Sequence, residues 1–220
     1  MYSFFAMMAR MKYISRWALM RNSREENVSE HTLEVAMIAH GLALITKDRY
    51  SINVDEARAA LKGIYHDANE IITGDMPTPV KYYDDDIRAS YKRVENIASH
   101  TLMNKLPPDM QKYYQPLLFG EEDALDFLDK LDEGGPVDAD TLNSDKKALD
   151  AYEWRLVKAA DKLSALIKCI EERNSGNHEF DSAYDSTRST LESMDVPAVD
   201  DFLNEFLPAY ELTLDELQGC

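Results

Sequence analysis

Cysteine is scarce in this sequence: Cys169 falls in a helical stretch, Cys220 is the last residue, and no paired spacing suggests a disulfide framework or a zinc knuckle. A reducing, cytoplasmic setting fits that usage. No apolar run approaches the roughly 20 residues of a membrane span, and the apolar start from Met1 to Met11 runs on into Lys12, Arg16 and Arg21 without a small-residue cleavage site. Membrane insertion and secretion are therefore not expected. Cations are outnumbered, 24 basic residues against 41 acidic, and a net charge of −17 repels polyanions over most of the surface. Extended nucleic acid is disfavoured as a partner. A small phosphorylated substrate is not, because local cations and a metal can neutralise one phosphate. Sustained period-two alternation is missing, which argues against strands, and no Glu-x-x-His pair is present to build a ferritin-like di-iron bundle.

What remains is a helical sequence of 220 residues, 45% hydrophobic and 30% charged, within the ordinary size of one domain. Its fold class is all-α, with residues 1–220 as a single unit. Asn27 and Glu30 stand at capping-box spacing before a helix whose face is His31, Val35, Ile38, Leu42 and Ile45. A second start at Asn53-Val54-Asp55-Glu56 leads into a stripe of Ala57, Leu61, Ile64, Ala68 and Ile71, with Gly74 as the stop. That helix is expected to carry His66, Asp67 and Glu70 in its interior. The two prolines of 74–81 predict a stiff extended loop. A helix through Ile87, Tyr91, Val94, Ala98 and Leu102 runs to Pro107-Pro108, and a shorter one follows around Met110 to Leu117. From about 119 to 150 the pattern loosens around Gly134-Gly135-Pro136, with eleven acidic residues against three basic ones. We read this as a solvated surface excursion with one short helix near Leu125 and Leu128. Tyr152, Leu156, Ala159, Leu163, Ile167 and Ile170 mark a long helix around Asp161, and two amphipathic helices follow.

The chemistry lies in the order His31, His66-Asp67, Asp161. A buried carboxylate such as Asp161, set among apolar helical residues, is costly unless it is paired, hydrogen-bonded or metal-bound. Two imidazoles and two carboxylates from three helices make a mixed N/O set suited to one divalent transition metal per subunit. Four protein ligands leave a place for water only on a five- or six-coordinate ion, so Co²⁺ or Mn²⁺ is expected ahead of Zn²⁺. Glu70 follows His66 by one helical turn and can face the ion without ligating it, as general acid or base.

Arg16-Trp17, Asn27-Val28-Ser29-Glu30-His31, Tyr65-His66-Asp67-Ala68, the loop Gly74-Asp75-Met76-Pro77-Thr78-Pro79-Val80-Lys81 and Ala160-Asp161 together resemble the YfbR-like bacterial 5′-deoxynucleotidases, within the HD superfamily of metal-dependent phosphohydrolases. The resemblance implies an HD-type helical bundle, a homodimer, and hydrolysis of 2′-deoxynucleoside 5′-monophosphates to deoxynucleoside and phosphate. It also implies site roles. Arg16 would orient the phosphate, for which a guanidinium has bidentate geometry. Trp17 would wall the sugar, His31 would border the substrate, and Asp75 would bond the 3′-hydroxyl, with packing at the 2′ carbon excluding ribose. Thr78, Pro79, Val80 and Lys81 would complete the pocket. Two alternatives stay open: another HD activity, such as triphosphohydrolase or cyclic-nucleotide phosphodiesterase, and a non-catalytic sensor of metal and nucleotide.

Overall fold

Helix starts are set by short polar side chains that accept the amides a first turn leaves unpaired. In the computed structural model, which describes residues 1–81, 83–134 and 137–219, Asn27, Asp55, Asp84, Asp138 and Asp145 each do so. A short α1 (Phe4–Met8) leads to α2 (Val28–Tyr50), α3 (Glu56–Tyr65), α4 (Glu70–Thr73), α5 (Thr78–Lys81), α6 (Asp85–Met103) and α7 (Pro108–Leu118). Then come α8 (Glu121–Leu131), α9 (Ala139–Ser144), the long α10 (Lys146–Asn174), α11 (Asp181–Glu192), α12 (Pro197–Glu205) and α13 (Leu214–Leu217). Among the described residues there is no strand, only one isolated bridge pairing Ser15 with Asn27. No described helix is long and apolar enough to cross a membrane.

The core gathers on α10, which buries Leu156, Leu163, Leu166 and Ile167 against Val35, Ala39 and Leu42 of α2. A smaller cluster of Phe4, Leu102 and Leu106 seats the N-terminus against α6. The helix α3 lies so close to α2 that a Cβ on Gly63 would sit 2.9 Å from the Ala36 Cα. Only glycine permits that approach. Next to it Lys62 is fully buried, its Nζ 2.7 Å from Glu153 Oε2 and 2.8 Å from the Asp150 carbonyl, which pins α3 to α10.

Four expectations need correction. First, α3 stops at Tyr65, and His66 and Asp67 stand at its C-terminal edge, where a turn to α4 replaces the helix interior. Second, α3 buries Ala59, Lys62 and Gly63, while the stripe of Ala57, Leu61 and Ile64 faces outward. Third, 78–81 is a helical turn: Pro79 sits in the first turn, where its missing N–H costs nothing. Fourth, the acidic stretch is not mere loop, because α8 and α9 bury Ala124, Leu128 and Leu142 in the main core and turn their carboxylates outward. Gly135, Pro136 and Cys220 lie outside the described residues, while Cys169 is buried and free.

Candidate active site

His31 enters the site from the first turn of α2, and its place follows from the capping box: the Asn27 side chain accepts the Ser29 and Glu30 amides while Glu30 reaches back to the Asn27 amide. The ring is buried. Its Nδ1 lies 3.0 Å from Ser164 Oγ, and that hydroxyl donates to Glu34 Oε2 at 2.5 Å. With its proton given to Glu34, the hydroxyl is left to accept from Nδ1–H. On the other ring, His66 Nδ1 donates to the Gly63 carbonyl at 2.8 Å. Both Nδ1 atoms are thereby engaged and both Nε2 atoms are left to face the centre, the arrangement that supports imidazole ligands elsewhere.

The two Nε2 atoms converge on one carboxylate. His66 Nε2 is 3.0 Å and His31 Nε2 3.5 Å from Asp67 Oδ2, yet both nitrogens are buried with no hydrogen bond. The donor atoms of His31, His66 and Asp67 lie within 4.8 Å of one another. Asp161, from α10, brings Oδ1 to 3.3 Å from His31 Nε2, with its Oδ2 3.2 Å from Lys162 Nζ. Burial would lower the His66 pKa, but Asp67 outweighs it and raises the value to about 9. Burial likewise opposes ionisation of Asp67 and Asp161, yet His66 and His31 around the first, and Lys162 and His31 around the second, hold both well below the usual carboxylate range. The point between these groups demands positive charge. A divalent cation fits it: on binding it would displace the proton that Asp67 otherwise holds on His66, leaving imidazole nitrogens and ionised carboxylate oxygens as its donors.

Around this point stand the other predicted residues. Arg16 directs Nη1 toward Asp67 Oδ2 at 3.7 Å, and its Nε lies 2.9 Å from Glu26 Oε1. Trp17 adopts φ +57, packs edge-on against Phe180, and donates from Nε1 to Glu26 Oε2 at 3.3 Å. The Trp17 amide also faces Asp75, whose pKa rises through burial despite Arg16 nearby. Glu70 opens α4 with Oε2 buried and unpartnered. Burial first, then the charges of Asp67 and Asp75, push its pKa up to about 10. Lys81 lies within electrostatic reach of Glu70 but is bonded to Glu95 Oε1 at 2.7 Å, against the Tyr91 ring. Pro79 and Val80 are exposed on α5, and the Thr78 side chain lies outside the described residues. Glu26, Ser164 and Glu34 escaped the sequence reading. Ser164 alone left a trace, three residues after Asp161 and so on the same face of α10.

A family model described as 5′-deoxynucleotidase YfbR-like matches residues 3–133 and 137–210. The chain is 42% identical over 214 residues to a 5′-deoxynucleotidase of Photobacterium profundum, covering 97% of each protein. It is 41% identical to the 5′-deoxynucleotidase YfbR of Escherichia coli, covering 97% of this chain and 94% of that one. Among solved structures, an HD-domain phosphohydrolase from Listeria innocua shares the fold at a TM-score of 0.72 and 22% identity, covering 98% of this chain and 92% of that one. A cyanophage S-2L HD phosphohydrolase, described as bound to dA and one catalytic Zn²⁺ ion, shares it at a TM-score of 0.55 and 18% identity, covering 94% and 96%.

Proposed function

The chain belongs to the YfbR-like 5′-deoxynucleotidase family, and we propose how its own residues release phosphate from 2′-deoxynucleoside 5′-monophosphates. The observation that carries this reading is the pair of buried, unpartnered imidazole nitrogens facing one carboxylate, with Arg16 beside it. His31, His66, Asp67 and Asp161 would hold the divalent ion, and four protein ligands with a place left for water favour a five- or six-coordinate Co²⁺ or Mn²⁺ ahead of Zn²⁺. When bound, such an ion lowers the pKa of water and offsets charge on a phosphate oxygen.

The protein's part is positioning and proton control. Arg16 has its Nε committed to Glu26, which leaves the two terminal nitrogens for a bidentate grip on phosphate. Glu70, whose pKa burial and the carboxylates of Asp67 and Asp75 raise, can act as the acid toward the departing 5′-oxygen. Asp75 accepts the 3′-hydroxyl, and Trp17 closes on the deoxyribose so that a 2′-hydroxyl has no room. His31 borders the phosphate, and 78–81 lines the outer pocket. Because Lys81 is occupied with Glu95, Arg16 stands as the main cation for phosphate, which favours a monophosphate over a triphosphate. Residues 1–220 work as one HD-type unit in the cytoplasm, as a homodimer. Exposed apolar side chains on two packed helices, Leu33, Met37 and Leu44 of α2 and Leu61 and Ile64 of α3, support the dimer.

The test is phosphate release from dAMP and from AMP with added Co²⁺ or Mn²⁺, with Asp67→Ala as the control for contaminating phosphatase. Metal-dependent release from dAMP alone is expected, and no tripolyphosphate from dATP. Equal rates on dAMP and AMP would remove the sugar-wall argument, and silence on both would restore the sensor reading.

A further inference from the structure

A single carboxylate, Glu26, touches both Arg16 and Trp17, the residues assigned to the phosphate and the sugar. Its Oε1 lies 2.9 Å from Arg16 Nε, and its Oε2 accepts from Trp17 Nε1 at 3.3 Å. The Glu26 carbonyl accepts the Arg16 amide at 2.9 Å, so backbone and side chain hold the same stretch of loop. That loop needs holding. Trp17 occupies the left-handed region at φ +57, a conformation unfavourable for any residue with a Cβ. The loop beyond it is tied down independently, because Glu172 accepts the Ser23 amide at 2.8 Å and Lys168 donates to the Arg24 carbonyl at 2.6 Å. Glu26 is thus fixed from behind and acts on Arg16 and Trp17 in front.

We propose that Glu26 is a positioning residue that sets the spacing between the phosphate grip and the sugar wall, and through that spacing the preference for deoxyribose over ribose. The inference rests on the roles given to Arg16 and Trp17 under the proposed function. An ion pair to one oxygen and a hydrogen bond to the other tie the two groups to one carboxylate, so they cannot shift apart without losing one of these contacts. With its Nε side paired to Glu26, the guanidinium turns Nη1 toward Asp67 and the place assigned to the phosphate. With Nε1 anchored, the indole cannot swing outward to admit a 2′-hydroxyl. Removing the carboxylate frees both motions, so substrate grip and sugar discrimination fall together.

The experiment compares Glu26→Ala and Glu26→Gln with the parent, using dAMP and AMP as substrates, metal content and melting temperature as controls, and acrylamide quenching of tryptophan fluorescence. The chain has two tryptophans, and Trp154 is 2% exposed, so a change in quenching reports Trp17. In Glu26→Ala the KM for dAMP is expected to rise roughly tenfold or more, the scale of one charge-assisted hydrogen bond. The ratio of kcat/KM for dAMP over AMP falls by a similar factor, and quenching increases. Glu26→Gln keeps an acceptor for only one of the two partners and falls between parent and Ala. An unchanged dAMP to AMP ratio in Glu26→Ala overturns the proposal, even if the melting temperature drops, and so does unchanged quenching. If the parent itself releases no phosphate from dAMP, the deoxynucleotidase reading fails, and the quenching comparison alone then decides whether Glu26 holds Trp17.

Discussion

Glu70 owes its chemistry to its neighbours. A carboxyl buried beside Asp67 and Asp75 meets both desolvation and like charge, and Arg16 and Lys81 compensate only in part, so it retains its proton with a pKa of about 10. A protonated carboxyl next to a phosphate ester can serve as an acid, and Gln at that position would keep the shape and a hydrogen-bond donor but no transferable proton. Glu70→Gln should lower kcat on dAMP by about 10²- to 10⁴-fold, the usual worth of general acid–base catalysis, while KM stays within about threefold. A variant with parental kcat would reduce Glu70 to a spectator. At this scale much of the site was legible. Capping chemistry put His31 in a first turn, whereas the helix-face spacing that linked Glu70 to His66 does not hold, because α3 ends at Tyr65 and Glu70 opens α4, where Asp67 and Asp75 are the carboxylates that act on it. The partners that orient those residues were not legible, since Ser164 and Glu34 meet His31 from 133 positions away and from the next turn, and Glu26 meets Arg16 only because a loop folds back.

The elements explain why that loop folds back. The last turns of α10 carry Lys168 and Glu172, both almost fully buried, and Glu172 collects bonds from Lys168, Asn177 and the Ser23 amide. Burial alone would raise the Glu172 pKa, but these donors outweigh it and bring it down to about 2. A folded-state value below the ordinary 4.5 means that the carboxylate stabilises the fold above pH 4.5, and that this contribution is lost as pH falls from about 4.5 toward 2. It amounts to about 3 kcal/mol at neutral pH, because each tenfold change in proton affinity corresponds to about 1.36 kcal/mol. Glu172→Gln should therefore melt well below the parent at pH 7, with the two curves converging as the pH approaches 2. Thermal melts across that range check it, and a constant gap would show that Glu172 is not the acid-sensitive contact. Periodicity marked most helices correctly, including α6, α7 and α10. It misplaced the end of α3 because the apolar stripe runs on through Ala68 and Ile71, so the pattern alone contains no stop at Tyr65. Charge was the wrong guide to 119–150, where Ala124 and Leu128, one helical turn apart and both buried, were the better one.

The outward stripe on α3 makes sense only for the molecule as a whole. A helix that hides Lys62 and Gly63 while exposing Leu61 and Ile64 is inverted for a monomer, and on α2 beside it Leu33 and Met37 are about 60% exposed. Burying these side chains yields roughly 25 cal/mol per Å². The accessible surface of 12250 Å² also exceeds the roughly 10,300 Å² that size scaling gives a compact monomer of 25.1 kDa. That surplus leaves ample room for the about 800 Å² that each partner contributes to a standard interface. In the proposed homodimer a two-fold axis on this face would set α2 and α3 against their own copies, so every substitution there would act twice. Met37→Asp with Leu61→Asp should accordingly convert the proposed dimer to a monomer at micromolar concentration, since each buried charge costs several kcal/mol without a partner. Sedimentation velocity decides it: the parent should run at twice its chain mass and the double variant at the chain mass. A parent that already runs as a monomer, or a variant that stays dimeric, would move the interface elsewhere or remove it. Because α2 carries His31 and His66 caps the end of α3, loss of the proposed dimer should loosen metal binding as well, and titrating the same two proteins with Co²⁺ measures how far the interface reaches into the site.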